Sequence, residues 1–175
     1  MTSSRRSSAL TNPFFVRTAG EADLPAVSAL LGVVWHDTYD GLYGAELVDR
    51  ITRGHHSVEE LTKQMRRPRS EFLLADDGKA IAGVAFAAAA GDDVRIVVLH
   101  ALHVLPAMQG RGIGGMLLQE IEDSFFESEL LRVEVDARNA RAARFFESQG
   151  YSQTGSRQIE GSLVATMLVY EKSLA

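Results

Sequence analysis

The pattern of apolar and polar positions divides the chain into short extended runs and longer stretches with helical period. Pro13 to Ala19 (PFFVRTA) reads as a first strand. A helix starts at Asp23 and Pro25, with Leu24, Val27, Leu30, Leu31 and Val34 as its apolar stripe. A second, less regular helical region runs from Trp35 to Ile51. His56 to Met65 is a short helix in which Ser57 and Glu60 form a capping box. Glu71 to Ala75 and Ala80 to Ala88 are strands joined at the turn signal Asp77-Gly78. Val94 to Val104 is a long strand, and Ile113 to Phe126 is a helix periodic through Ile113, Leu117, Ile121 and Phe125. After a strand at Leu131 to Val135, a helix at Asn139 to Gln149 is closed by Gly150. Tyr151 to Arg157 and Leu163 to Glu171 are the last strands. This is a mixed α+β chain with one hairpin-rich half and one strand–helix–strand half.

Composition narrows the options. A chain of 175 residues buries roughly 70% of its unfolded surface and needs no staple. One domain over 13–175 is expected, preceded by a Ser- and Arg-rich segment over 1–12 that reads as a frayed tail. The absence of cysteine excludes disulfides, thiolate metal sites and a cysteine nucleophile, and fits a reducing, cytoplasmic setting. No run approaches the ~20 apolar residues of a membrane span, so no membrane partner is expected. A net charge of −5 gives no global basic field for nucleic acid. His55 and His56 are adjacent and cannot easily share one metal, so no metal site is expected.

The strongest local feature is the loop after the long strand. Gly110, Gly112, Gly114 and Gly115 stand at the mouth of a helix. The first amides of a helix have no intrahelical acceptor, and the helix dipole adds positive potential there. Glycine lets a ligand approach the backbone closely, so the loop reads as an anion site, most naturally for phosphates. The glycines also match the dinucleotide fingerprint G-x-G-x-x-G. That fingerprint should follow its strand directly, yet Leu105 to Gln109 intervene. It should also open a repeated β–α–β array, and too little chain follows. A P-loop is excluded, since no Gly-Lys-Ser/Thr follows the glycines.

Gln109-Gly110-Arg111-Gly112-Ile113-Gly114 resembles the Q/R-x-x-G-x-G/A loop of the GNAT superfamily of N-acetyltransferases, with Val104-Leu105-Pro106 as its V-x-P lead-in. A second signature follows in order. Asn139-Ala140-Arg141-Ala142, Phe145-Phe146-Glu147 and Gly150-Tyr151 are similar to the family's N-x-x-A-x-x-F-Y-E-x-x-G-F. The resemblance implies a mostly antiparallel twisted sheet of about seven strands with a splayed central pair, flanked by four to five helices. It implies acetyl-CoA as donor. The amides of Gln109, Gly110, Arg111, Gly112, Ile113, Gly114 and Gly115 would hold the pyrophosphate. Leu102, His103 and Val104 would meet the pantetheine arm through their backbone, and Asn139 and Phe146 would line the site. Homodimerisation is a further expectation of the resemblance.

Acetylating an amine requires that it lose a proton, which for an alkylamine near pKa 10.4 costs roughly 4 kcal/mol at neutral pH. Many GNAT enzymes carry a glutamate near the position of Val98, which cannot act as base. Strict alternation puts Val98, His100, Leu102 and Val104 on one face of the strand, and Leu99, Ala101 and His103 on the other. Leu99-His100-Ala101-Leu102 resembles the strand of arylalkylamine acetyltransferases, where a histidine assists proton removal. His100 is therefore the candidate base, and His103 reads as structural. The family's usual tyrosine acid is here Phe146, which has no proton to give.

Trp35, Tyr39 and Tyr43, with Asp37 and Asp40, fall where the family covers its acceptor pocket, in a layout that resembles PaiA-like polyamine acetyltransferases. A small primary amine, polyamine or arylalkylamine-like, is the expected acceptor, held by cation–π and charge contacts. Two alternatives stand beside it. One is a protein or peptide N-acetyltransferase. The other is a non-catalytic acyl-CoA-binding regulatory module, motivated by Val98 and Phe146.

Overall fold

The computed structural model describes residues 13–175; the expected tail over 1–12 lies outside them. The elements run β1 (Phe15–Thr18), α1 (Leu24–Tyr43), α2 (Ala45–His55), α3 (Val58–Met65), β2 (Ser70–Asp76), β3 (Ile81–Ala90) and β4 (Asp93–Val104). They continue as α4 (Ile113–Ser124), β5 (Leu130–Asp136), α5 (Ala140–Ser148), β6 (Ser152–Ile159) and β7 (Ala165–Ser173). All seven strands form one sheet in the order β1-β2-β3-β4-β5-β7-β6. Every pairing is antiparallel except that of β4 with β5.

The sheet buries both faces. On one face α4 and α5 pack over Ala85, Val97, Leu99, Leu131 and Val133. On the other, the apolar stripe of α1 (Leu24, Val27, Leu30, Leu31, Val34) and Leu61 of α3 cover Leu74, Val84 and Phe86. The start of α1 is fixed electrostatically. Arg17 of β1 donates to both carboxylate oxygens of Asp23 at 2.8 Å and to Asp76 of β2 at 2.8 Å. These bonds from Arg17 hold the Asp23 carboxyl down at about 2.

The expected boundary near Trp35 is absent. α1 is one helix through Tyr43 and stops only at Gly44, whose φ of 86° no right-handed helix accepts. Trp35, Tyr39 and Tyr43 prolong its inner stripe at i, i+4 and i+8, with polar residues between them.

Two irregularities of the sheet make the site. First, β3 pairs Ala87 with Leu99 but Phe86 with Ala101, so His100 is an extra, bulged residue. The bulge breaks the strict alternation expected for β4. Val97 and Leu99 before it, and Leu102 and Val104 after it, all pack toward α4, while Ala101 packs toward α1. Second, β4 and β5 pair only over Ile96–Leu99 and Leu130–Val133. Beyond that point β5 stays with β7 to Asp136, and β4 stays with β3 to Val104. The parallel pair therefore splays apart toward its C-terminal end.

Candidate active site

The glycine loop closes the open end of the splay. A single 3-10 turn over Pro106–Met108 carries the chain off β4. The Gln109 side chain donates to the Val104 carbonyl at 3.1 Å and staples the loop to the strand end. Gly110 and Gly112 both take φ of 78°, a left-handed conformation that glycine adopts without penalty. Gly112 is the N-cap of α4 and has no side chain to cap it, so the first-turn amides face outward. At Gly114 a Cβ would come to 3.4 Å from Phe145, which marks the close approach of α4 to α5.

Two cavities lie along β4 and share His103 in their walls. The larger, about 620 Å³, lies in the splay. Leu102, His103 and Val104 line it from β4, and Gln109, Gly110 and Gly112 from the loop. Ile113, Gly114 and Gly115 line it from α4, and Asn139 and Phe146 from the far side. Of the residues assigned to the donor from sequence, Arg111 alone is not part of this wall. Asn139 also caps α5, its Oδ1 accepting from Ala142 N at 3.1 Å. Phe146 is buried and packs edge-on against Phe145 and Tyr151.

The smaller cavity, about 240 Å³, lies on the α1 side of β4. Its body is apolar, built from Leu31, Trp35, Leu61, Phe72, Val84 and Phe86. Its polar lining is His56, Gln64, Arg67, His100 and His103. The bulge overturns the reading of His103 as facing away from His100. Both reach this cavity, and His103 lines the larger one as well, standing between the two. Burial pushes His103 down to about 4, with the charge of His56 adding to the effect. Burial likewise pushes His56 down to about 4, helped by His55. His100 is lowered too, by partial desolvation and by the charge of Arg67. Arg67 Nη1 sits 3.3 Å from His100 Nε2. A guanidinium cannot accept a hydrogen bond, so Nε2 accepts and the proton of neutral His100 is on Nδ1. All three histidines are thus uncharged near neutrality.

Trp35 lines the smaller cavity, but Tyr39 and Tyr43 line neither. Tyr43 donates its hydroxyl to the buried Asp136, and Arg138 stacks over its ring at 5.1 Å. Burial and the Asp136 bond push the Tyr43 hydroxyl up to about 12. Tyr39 lies between the rings of Trp35 and Tyr43 and meets Asn139 at 3.5 Å. These two tyrosines tie α1 to the loop between β5 and α5. Asp40 is taken by His36 at 2.7 Å, whereas Asp37 faces the larger cavity. Tyr151 donates to Glu122 at 2.9 Å on the far side of the sheet and cannot serve as an acid here. Sequence reasoning missed His56, Gln64, Arg67 and Arg141 as lining residues. They are scattered over the turn between α2 and α3, α3 itself, the turn after it and α5, and no motif marks them.

A mixed sheet splayed at one parallel pair, with a glycine-mouthed helix at the opening and a second cavity behind, defines an acyl-donor fold. Comparison with known proteins agrees. A family described as acetyltransferase (GNAT) domain matches residues 40–172. The chain belongs to the GNAT acetyltransferase family, the acetyl-CoA-dependent N-acetyltransferases. It is 28% identical over 144 residues, 80% of each chain, to "Probable N-acetyltransferase Rv2775" of Mycobacterium tuberculosis. It is 30% identical over 97 residues to "N-alpha-acetyltransferase RimI" of the same organism, across 55% of this chain and 61% of that one. Among solved structures it resembles PaiA N-acetyltransferase from Thermoplasma acidophilum in complex with coenzyme A. That match has a TM-score of 0.79 at 22% identity and covers 91% of this chain and 98% of that one. The larger cavity fits acetyl-CoA on its own chemistry. It offers uncapped first-turn amides and Arg141 for phosphates, and apolar side chains for an extended arm.

Proposed function

We propose that the protein moves an acetyl group from acetyl-CoA to the primary amine of a small molecule, with both bound at once. The observation that carries this reading is that His103 lines both the donor-sized cavity and the apolar one. An amine in the smaller cavity is then one side chain away from a thioester in the larger one. Bound acetyl-CoA supplies the activated acetyl carbon. The protein's residues supply the rest. Loop residues 109–115, with Asn139 beside them, hold and orient the donor, and backbone amides of the open β4 edge polarise the carbonyl. His100 takes the amine proton, directly or through one water. Of the two β4 histidines that line the smaller cavity, His103 is held down at about 4 and is a weak base near neutral pH, which leaves His100 for the role. No tyrosine lines either cavity, so the leaving thiolate takes its proton from water.

A second reading, transfer to a peptide N-terminus, is favoured by the 30% identity to RimI. The setting is cytoplasmic in this proposal; no helix among the described residues is long and apolar enough to cross a membrane.

The test is calorimetry with acetyl-CoA, NAD and ATP, followed by an amine and peptide panel read by thiol release. The chain contains no cysteine, so a thiol reagent reports product alone. Binding of acetyl-CoA only, with thiol release on adding small amines, is the expected result. NAD binding, or acetyl-CoA binding with no acceptor turned over, overturns it.

A further inference from the structure

The smaller cavity carries chemistry that argues about the acceptor itself. Its volume, about 240 Å³, exceeds the ~150 Å³ that holds a benzene ring. It therefore accommodates one ring and a short chain. Its body is apolar and aromatic, and no carboxylate is among its lining residues. An ammonium group seated there would meet uncharged histidines and Arg67. The nearby acids are engaged elsewhere. Glu134, whose charge His100 senses, is held by two bonds from Arg157 at 3.0 and 2.6 Å. Asp37 belongs to the other cavity, and Asp40 to His36. Arg67, by contrast, makes no ion pair with a carboxylate among the described residues. It is exposed at the cavity rim, where its guanidinium meets His100.

We propose that the acceptor is an amino acid with a single-ring aromatic or branched apolar side chain, and that Arg67 recognises its carboxylate. This rests on the N-acetyltransferase reading above. The side chain fills the apolar body, and the amine is delivered to His100. Arg67 and His100 are 3.3 Å apart, so the anion and the amine they receive sit on the same or adjacent carbons. The carboxylate is the better acceptor for a guanidinium. It therefore draws Arg67 away from Nε2 and frees that lone pair to take the amine proton. Recognition of the anion and release of the base are one event. A polyamine satisfies none of this, because its second ammonium finds a guanidinium where it needs a carboxylate.

The test compares phenylalanine and leucine with their amides, with phenethylamine, with spermidine and with an Ala-initiated peptide, by thiol release at saturating acetyl-CoA. The free amino acids are expected to exceed the amides and phenethylamine in kcat/KM by about tenfold or more. Arg67→Gln should remove that advantage, read as the ratio of kcat/KM for acid over amide, while leaving acetyl-CoA affinity unchanged. Arg67→Lys should restore part of it. Amides as good as acids, or an advantage that survives Arg67→Gln, overturns the role of Arg67. Preference for spermidine or the peptide overturns the acceptor class and leaves the transferase reading standing. No turnover of any amine overturns both.

Discussion

Replacing Gly112 by alanine separates the conformational role of the loop from its binding role. Gly112 has φ of 78°, and no atom lies within 4 Å of the Cβ it would gain, so no clash contributes. The left-handed conformation costs an L-residue about 1–2 kcal/mol. Alanine also restricts the unfolded chain, which returns about 0.4–1 kcal/mol. The net loss is about 1 kcal/mol, or roughly 2–4 °C in Tm for a domain of this size. Gly78, in the turn between β2 and β3, is the matched control. Its φ is 87° and the space around it is equally open, so Gly78→Ala should melt lower by the same few degrees. The two variants should part when donor is added. A ligand at about 100 times its Kd stabilises by about 2.7 kcal/mol. Gly78→Ala should keep that full thermal shift. Gly112→Ala should lose most of it, because relieving the strain re-aims the first-turn amides of α4. Thermal melts with and without acetyl-CoA read both quantities. Equal donor-induced shifts in the two variants would refute the assignment of the loop. An unchanged Tm in both would refute the strain argument.

His100→Ala should lower kcat by about 100-fold or more and leave acetyl-CoA affinity intact. Because His100 lies below its ordinary range, wild-type activity should be lost only as pH falls beneath that range. An unchanged rate in the variant, or a profile governed by a group above neutrality, sinks its role as base. His56 and His103, both near 4 when folded, bind protons more readily in the unfolded chain, which titrates near 6.5. Stability should therefore be full above about pH 6.5 and decline as pH falls toward 4, by on the order of 2 kcal/mol per histidine at pH 5. Urea midpoints that coincide at pH 7.5 and pH 5 contradict this. Tyr43→Phe removes the bond to buried Asp136 and should destabilise by about 1–2 kcal/mol with acceptor KM unchanged. A raised KM at unchanged stability would return Tyr43 to the acceptor site.

Much of this fold was legible because its signals are local. The turn at Asp77-Gly78, the N-cap at Ser57 and the glycines before Ile113 each act within a few residues, and each sits where the pattern placed it. The GNAT loop and the Asn139 signature were legible for the same reason. What escaped depends on distant partners. Nothing near His100 announces a bulge, since the extra residue is defined only by its pairing with Phe86 and Ala87 on β3. Strict alternation then misplaced His103, the residue shared by both cavities. The run from Trp35 to Tyr43 looked irregular because its polar residues are frequent. Its helical stripe is aromatic and docks on residues about a hundred positions later, including Asp136 and Asn139. The acceptor wall was illegible for the same reason, with Arg67 and His56 brought to it only by the packing of α3.

An ordinary open sheet has two rims, and this one has a seam as well. Past Leu99 and Val133 the facing margins of β4 and β5 are bare of each other. Exposed margins invite stray strands and aggregation, but these lie between α1 and the α4–α5 pair rather than at the outside of the molecule. The backbone groups bared there are therefore left to a ligand lying along the groove, since α1 on one side and the α4–α5 pair on the other stand where a further strand would have to come in.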